Sequence, residues 1–276
     1  MKSLLVCLAL VVLPKPLPGA CPKDMKTLQT NVRKGEDLAA VARRLGVSVK
    51  DLRQWNRLRT DKVPAGKNLR YCVPRVTGSV GTPSSGKLIG GVSIDKDGDF
   101  EGPGFVIGEG RTRLFGTPQT VRHVKACMAA YRAAFPDRRK APPVNIGDLS
   151  AKGGGPVGPH LSHESGRDVD IGYLTRPPQS RGAFDREARG EKDLDLPKQW
   201  VVTKCFLDNP ELKAIFMGSG VASALKQYVT KVYRKRPSLK QKYLSALARL
   251  VVPDSEHLTH MHVRFKCPKT DKACRD

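Results

Sequence analysis

Five of the six histidines in this 276-residue chain lie in two short segments. The first segment reads HLSHESGRDVDI from residue 160, and the second reads SEHLTHMHVRF from residue 255. Side chains of a β-strand alternate between two faces. Asp168 and Asp170 would therefore share one face of a strand, and His260 and His262 would share one face of another. We expect two adjacent strands that bring these imidazoles and carboxylates together, with aliphatic neighbours packed beneath.

A buried cluster of this kind is costly unless a cation compensates its charge. Zinc takes nitrogen and carboxylate ligands in tetrahedral geometry, and catalytic zinc sites use three protein ligands with one open position. The chain has no HExxH motif, because SGR follows His163 and Glu164. The spacing found instead is H-x6-D with a later H-x-H. It predicts a zinc site outside the helical zinc-protease arrangement, with Gly166 allowing a backbone turn before Asp170.

The chain is strongly basic, with a formal charge of +23. Such a charge favours an acidic partner, which could be nucleic acid, an anionic membrane or a cell-wall polymer. The start, MKSLLVCLALVVL, has the layout of a secretory signal, and its apolar run is too short to span a bilayer. We predict a signal peptide over residues 1–20, with lipid attachment at Cys21 as the alternative. A periplasmic or secreted protein without a transmembrane segment is expected, which disfavours nucleic acid as the partner.

Removal of the signal would take Cys7 and leave six cysteines. An even number in an exported protein favours disulfides over free thiols, and the absence of a CxxC pair disfavours a thiolate zinc site. Cys21 and Cys72 bracket a small segment and are predicted to pair. The remaining four allow three connectivities: Cys127, Cys205, Cys267 and Cys274.

Residues 24–73 have the pattern of a small β-α-α-β unit. Apolar residues recur at helical spacing in LAAVARRLGV and in VSVKDLRQWNRL, which Ser48 opens as a helix cap. The same pattern fits a helical hairpin of any secreted protein. However, NVRKGEDLAAVARRLGVSVKDLRQWNRL followed by VPAGKNLRYCV resembles the lysin motif (LysM), a binder of N-acetylglucosamine chains. The resemblance implies a shallow glycan groove between two loops, with five contact residues: Gly35, Glu36, Asp37, Asn56 and Pro64.

Residues 74–86, rich in Pro, Gly, Ser and Thr, are predicted to be a flexible linker. Residues 87–276 are predicted to form a second domain. Its expected strands are GKLIGGVSI, PPVNIGDLS and HMHVRFKC, and its expected helices are TVRHVKACMAAYRAAF, LPKQWVVTKCFLDN, ELKAIFMGSGVASALKQYVTKVY and LKQKYLSALARLV. Strands separated by helices without regular β-α-β alternation predict an α+β domain with a mostly antiparallel central sheet. Within it, KVYRKRPSLKQK is interpreted as a solvated helix face, with contact to an acidic wall polymer as the alternative.

SHESGRDVDIGY and HLTHMHVRFKCP together resemble the penicillin-insensitive murein endopeptidases. These belong to a metallopeptidase group that also holds lysostaphin, D-alanyl-D-alanine peptidases and the hedgehog signalling domain. The similarity covers most of residues 87–268, including GKLIGGV, FGTP and GDLSAKGGG. It implies zinc held by His163, Asp170 and His262. It also implies that His260 acts beside the metal as a base or transition-state partner. We predict a single ion, with a second metal near the outer histidine as the alternative.

Further residues are expected around the metal. The resemblance implies that His160 and His257 line the active site. Asp168 shares the face of Asp170, so it could hydrogen-bond a ligand histidine. The implied substrate is the D-alanine–diaminopimelate cross-link of peptidoglycan, with the LysM domain holding the enzyme on the glycan. The alternative is a non-catalytic wall-binding protein with a structural zinc site.

Overall fold

The computed structural model describes residues 21, 25–45, 47–74, 77–95 and 101–276. The predicted signal peptide, residues 1–20, lies outside these ranges. Among the described residues, no helix has both the length and the apolar character needed to cross a bilayer.

The N-terminal domain has the predicted β-α-α-β order. Strand β1 (Met25–Asn31) pairs antiparallel with β2 (Asn68–Pro74), and the two strands flank α1 (Leu38–Leu45) and α2 (Val49–Asn56). The Ser48 hydroxyl accepts a hydrogen bond from the Asp51 amide at 3.0 Å, so the predicted cap of α2 is confirmed. The apolar faces of both helices meet in one core: Val32, Leu38, Val41, Ala42, Leu52, Trp55, Leu69 and Cys72.

A disulfide joins Cys21 to Cys72, as predicted. It links the residues before β1 to β2, and so constrains a domain too small to build an extensive core. The disulfide also uses the sulfur to which a lipid would be attached. Lipid attachment at Cys21 would require that this sulfur be free of the disulfide.

The prediction of a flexible linker over residues 74–86 is wrong for most of that segment. Strands β3 (Gly78–Thr82) and β4 (Ser85–Ile89) form an antiparallel hairpin there. Ser79 is buried, and its amide donates to Asp271 Oδ2 at 2.7 Å. Asp271 lies 192 positions further along the chain, and Glu164, which accepts from the Gly86 amide, lies 78 positions further, so local composition could not reveal these contacts.

The second domain contains the remaining elements. Its strands are β5 (Val92–Ser93), β6 (Glu101–Gly102), β7 (Phe105–Ile107), β8 (Phe115–Gly116), β9 (Val144–Ile146), β10 (Asp168–Gly172), β11 (Leu212–Met217), β12 (Val251–Pro253) and β13 (His260–Phe265). Its helices are α3 (Pro118–Ala134), α4 (Leu196–Leu207), α5 (Ser219–Val232) and α6 (Pro237–Leu250).

A seven-stranded sheet forms the centre of this domain, in the order β12-β11-β13-β10-β9-β7-β6. The β12–β11 and β9–β7 pairs are parallel, and the other four are antiparallel. The predicted α+β class with a mostly antiparallel sheet is confirmed. Strands β10 and β13 lie next to each other near the middle of the sheet.

Residues 212–217 were predicted to be helical and instead form β11. This strand pairs with β12 on one side and β13 on the other. Leu212, Ile215 and Met217 are buried. A short apolar run is ambiguous between helix and strand, and pairing with β13 decides the outcome here.

One core connects the sheet to the helices. Val169 and Ile171 of β10 and Met261 and Val263 of β13 belong to the same buried cluster as apolar side chains of α3, α4 and α5. Two further disulfides resolve the connectivity that the sequence left open: Cys127–Cys205 between α3 and α4, and Cys267–Cys274 after β13. The opposite face of β10 is also buried, although its side chains are carboxylates.

Candidate metal centre

Strands β10 and β13 bring the two histidine-bearing segments together. Their antiparallel register pairs Asp170 with His262 and Asp168 with Arg264. Because side chains alternate along each strand, all four project from one face of the sheet. Directly opposed side chains on the same face are close neighbours, so the register itself places an imidazole against a carboxylate.

Three atoms from His163, Asp170 and His262 form a close triangle. His163 Nε2 lies 3.2 Å from both Asp170 Oδ1 and His262 Nδ1, and the last two atoms are 3.4 Å apart. A tetrahedral zinc ion with bonds of about 2.0–2.1 Å separates its ligand atoms by about 3.3–3.4 Å. The nitrogen and oxygen donors also match zinc, so these residues fit one such ion.

One oxygen of the buried Asp170 carboxylate lacks an aligned hydrogen bond from the described residues. Its Oδ1 atom is buried and has no hydrogen-bond partner among the described residues. The imidazole nitrogens approach it at ion-pair distance without hydrogen-bond alignment. Such an oxygen is costly unless a cation compensates it, which again fits a metal ligand.

His160 lies beside the other oxygen of the Asp170 carboxylate. Its Nδ1 atom lies 3.9 Å from Asp170 Oδ2, and its ring centroid lies 4.5 Å from that of His163. His160, His163 and Asp170 form a wider group whose ligand atoms lie within 4.8 Å of one another. The shorter separations in the triangle with His262 are the better match to tetrahedral zinc.

His163 lies on a tightly fixed loop. Its φ of 71° is in the left-handed region, which is uncommon for residues other than glycine. Its amide donates to Asp168 Oδ2 at 3.0 Å, and its Nδ1 lies 2.5 Å from the Leu149 carbonyl oxygen. That contact requires a proton on Nδ1, which leaves Nε2 as the atom facing the triangle. Gly166 provides the expected turn before β10, with φ of 72°.

The charges in the triangle are strongly coupled. Burial alone would lower the pKa of His163, but the Asp170 carboxylate beside it raises that pKa to about 9. Burial would raise the pKa of Asp170, but His163 holds it below its usual range. Without a metal, a proton on His163 therefore compensates the carboxylate.

Asp168 contacts His262, one of the three residues of the triangle. It accepts hydrogen bonds from Arg264 Nε at 2.8 Å and Nη2 at 3.2 Å, and its Oδ1 lies 3.2 Å from His262 Nε2. The last contact is an ion-pair distance without hydrogen-bond alignment. Burial would raise the pKa of Asp168, but His262 and Arg264 hold it well below its usual range. The ionised carboxylate faces Nε2 of His262, while Nδ1 faces Asp170.

His260 lies beside the triangle. Its Nε2 is 3.7 Å from Asp170 Oδ1, and its Nδ1 is 3.0 Å from the Thr259 hydroxyl. Its ring stacks on Phe184, with centroids 4.9 Å apart and planes at 12°. Burial lowers the pKa of His260 to about 4. The imidazole is therefore neutral at pH 7.

Asp148 organises the side of the centre next to His160. It accepts hydrogen bonds from Arg111 Nη1 at 2.8 Å and Arg113 Nη1 at 3.2 Å, and its Oδ2 lies 3.0 Å from His160 Nε2. Burial would raise the pKa of Asp148, but hydrogen bonds from His160 and Arg111 keep it low. With Nε2 turned to Asp148, the Nδ1 atom of His160 faces Asp170.

Two family models match the chain. Residues 31–70 match the LysM domain, and residues 79–276, well over half of the chain, match the penicillin-insensitive murein endopeptidase model. This protein belongs to the penicillin-insensitive murein endopeptidase family. A relative with that name from Salmonella paratyphi C is 28% identical over 222 residues, covering 76% of this chain and 74% of the relative. Those from Salmonella heidelberg and Salmonella arizonae are 27% and 28% identical over the same shares.

The murein endopeptidase match begins at Ser79, inside β3. The hairpin that replaces part of the predicted linker therefore lies within the family's own domain. The match also includes every residue of the candidate metal centre.

His257 lies at the rim of the candidate metal centre. Its ring centroid is 5.2 Å from that of His260 and 5.8 Å from that of His262. Its Nδ1 lies 3.1 Å from Asp254 Oδ1. His257 is thus close to the triangle without contributing an atom to it.

Four residues around the candidate metal centre were missed by the sequence analysis: Arg111, Asp148, Phe184 and Arg264. Arg264 continues the alternation of His260 and His262, so its position was available from the strand pattern. Asp148 lies in GDLSAKGGG, a matched stretch that gave no indication of its partners. Phe184 lies on an irregular segment, where no periodicity could place its ring against His260.

The two predicted glycan-binding loops of the LysM domain adjoin each other. The Leu38 amide, just after residues 34–37, donates to the Asp61 carbonyl in the second loop at 3.2 Å. Gly35 has φ of 85°, which permits the tight turn of the first loop.

Asn56 has a structural role in the second loop. Its Nδ2 donates to the carbonyls of Leu52 and Arg70 at 2.9 and 2.6 Å, and its Oδ1 accepts from the Arg70 amide at 2.7 Å. These bonds hold the end of α2 against β2. The Asn56 side chain shapes the loop and has no spare amide hydrogen for a sugar.

Proposed function

We propose that this protein is a zinc endopeptidase that hydrolyses the peptide cross-links of peptidoglycan. The observation that carries the proposal is the triangle of His163 Nε2, Asp170 Oδ1 and His262 Nδ1, in which the buried carboxylate oxygen has no hydrogen-bond partner among the described residues. These three residues would hold the ion. Zinc would polarise the scissile carbonyl and activate a water molecule. Membership of the murein endopeptidase family supports the substrate class.

His260 is the proposed general base. It is neutral at pH 7 and lies beside the metal ligands rather than among them. Its Nε2 would accept the proton of the attacking water and pass it to the leaving amine. Thr259 and the ring of Phe184 hold the imidazole in one orientation.

The surrounding carboxylates would orient the imidazoles. Asp168 faces His262 Nε2, and Asp148 faces His160 Nε2. Outer partners of this kind typically change metal affinity or activity by about 10–100-fold. His160 and His257 are proposed to line the substrate side of the metal.

The LysM domain is proposed to hold the enzyme on the glycan strands. Gly35, Glu36, Asp37 and Pro64 would contribute to the groove, and Asn56 would position its second loop. Tethering raises the local concentration of the catalytic domain at the wall without any new contact to the cross-link. By resemblance, the bond cut is that between D-alanine and diaminopimelate.

The proposed location is the periplasm or the extracellular space. Three disulfides fit an oxidising compartment, and both matched families concern the cell wall. The predicted signal peptide would direct the chain there.

A second candidate is a wall-binding protein with a structural zinc site. The near-complete burial of His163, Asp170 and His262 is what this alternative expects. Against it, the side chains of His160 and His260 are 24% and 21% exposed, which leaves an approach to the triangle. Closed structural sites use four protein ligands and need no neutral base.

The direct test uses soluble cross-linked muropeptides. Protein stripped of metal by a chelator should be inactive, and stoichiometric zinc should restore the release of monomeric muropeptides. Liquid chromatography with mass spectrometry measures this release. Equal cleavage by the stripped and zinc-loaded forms, or none by either, would contradict the proposal.

A further inference from the structure

The α5–α6 helical hairpin carries a concentrated positive charge. Between Leu212 and Pro253 the sequence has no aspartate or glutamate. The same stretch has nine cationic residues: Lys213, Lys226, Lys231, Arg234, Lys235, Arg236, Lys240, Lys242 and Arg249.

Five of these cations lie where α5 ends and α6 begins. They are Lys231, Arg234, Lys235, Arg236 and Lys240, referred to below as the basic corner. Because they fall within ten consecutive residues around one helix–helix connection, they are close in space. The first four are exposed and Lys240 is partly exposed. Within the described part of the chain, none of the five forms an ion pair with a carboxylate.

Neighbouring lysines behave differently. Lys204 of α4 and Lys242 of α6 both bind Asp208, at 2.7 and 2.6 Å. Asp208 therefore already serves two cations and has little capacity to neutralise a third. Unlike Lys204 and Lys242, the residues of the basic corner have no carboxylate partner within the described part of the chain.

Like charges at this spacing are unfavourable in the free protein. Arg236 directly precedes α6, and its carbonyl accepts a hydrogen bond from the Lys240 amide at 3.0 Å, which keeps these two cationic residues close together. All five charges lie on one short stretch, where repulsion at physiological salt acts over about 8 Å. A polymer with closely spaced oxyanions would remove this repulsion and release its own counterions on binding.

We propose that the basic corner binds an anionic polymer of the cell wall and gives the endopeptidase domain a wall contact independent of LysM. The partner is peptidoglycan, whose stem peptides carry repeated carboxylates; the family of the endopeptidase domain and the LysM match favour this polymer. Arginine forks at Arg234 and Arg236 suit carboxylates. The choice of a wall partner rests on the proposed function, and the LysM domain and disulfides favour it over nucleic acid.

The test is pelleting of zinc-free full-length protein with purified sacculi across a salt series. The variant Arg234→Glu/Lys235→Glu/Arg236→Glu is compared with Lys192→Glu/Lys269→Glu/Lys272→Glu, which makes the same charge change at exposed positions elsewhere. The corner variant should bind sacculi at least about tenfold more weakly at low salt and show a shallower salt dependence. The control should bind within about twofold of the unmodified protein, since only local charge is expected to matter.

Two treatments of the sacculi test the carboxylate partner. Amidation of the stem-peptide carboxylates with a carbodiimide should abolish the difference between the variants. Removal of phosphate polymers with hydrofluoric acid should leave it unchanged. A difference that persists after amidation, or that disappears after the hydrofluoric acid treatment, would overturn the proposal.

Other outcomes also decide the matter. Equal wall binding by the corner variant and its control would overturn the proposal. The proposal would also be overturned if the corner variant lost its retention on DNA while its wall binding stayed unchanged. Both variants should keep the melting temperature and the cleavage of soluble muropeptides, which do not need the corner. If no form cleaves muropeptides but the binding difference stands, the proposed hydrolysis fails and the wall contact survives.

Discussion

Asp170 and His262 are register partners on adjacent antiparallel strands, with Asp170 Oδ1 3.4 Å from His262 Nδ1. The backbone ladder between β10 and β13 fixes this distance, so two of the proposed zinc ligands are held in place by the sheet. The third, His163, is fixed by the Leu149 carbonyl and by Asp168. The proposed site is therefore largely preformed.

The first prediction concerns the two aspartates of β10. Asp170→Asn removes the anionic ligand and should abolish stoichiometric zinc binding, whereas Asp168→Asn removes only an outer partner and should weaken zinc binding by about 10–100-fold. Zinc affinity can be measured by competition with a chelator of known affinity. Asp185→Asn, at an exposed position, serves as the control. Stoichiometric zinc in Asp170→Asn would show that the ligand set is wrong.

The second prediction separates catalysis from structure at His260. His260→Ala should keep its zinc content and melting temperature, since this residue is not a proposed ligand. Its kcat on soluble cross-linked muropeptides should fall by about 10²–10⁴-fold because the proton acceptor is lost. Full activity in this variant would leave His260 without a catalytic role, and loss of zinc would make it a ligand.

The third prediction concerns pH and zinc uptake. In the metal-free protein the pKa of His163 is raised to about 9, so zinc must displace a proton from this imidazole at pH 7. Proton competition weakens as the pH rises towards that pKa. Apparent zinc affinity should therefore increase by roughly tenfold per pH unit between about pH 6 and 8. Calorimetry in buffers of different ionisation enthalpy should detect the released proton, and a pH-independent affinity would refute the coupling.

Much of the candidate metal centre could be predicted from the sequence because strand alternation is a local property. Asp168 with Asp170, and His260 with His262, needed only a period of two and the presence of aliphatic residues between them. The pairing of the two strands followed from the chemistry of their polar faces. The same reasoning could have included Arg264, which continues the face of β13.

The parts that were missed depend on distant contacts. The hairpin β3–β4 is ordered by Asp271 and by pairing of Gly81 with Cys274, neither of which leaves a signal in PRVTGSVGTPSSGK. Residues 212–217 form strand β11 because they pair with β12 and β13, and their own side chains do not distinguish a strand from a helix. Phe184 acquires its place against His260 through an irregular loop.

The fourth prediction compares two disulfides of the second domain. Cys127–Cys205 spans 78 residues, and Cys267–Cys274 spans 7. A longer closed loop restricts the unfolded chain more, so removing the first by Cys127→Ser/Cys205→Ser should lower the free energy of unfolding by about 2 kcal/mol more than removing the second. Urea unfolding of the two double variants measures the difference. An equal or reversed order would show that native contacts around the short loop dominate.

The most direct test of the zinc site is a crystal structure of the zinc-loaded protein with diffraction data collected on both sides of the zinc absorption edge. The predicted result is one anomalous peak bonded to His163 Nε2, Asp170 Oδ1 and His262 Nδ1, at about 2.0–2.2 Å from each. A peak that leaves His262 uncoordinated, or no peak at these atoms, would contradict the proposed site.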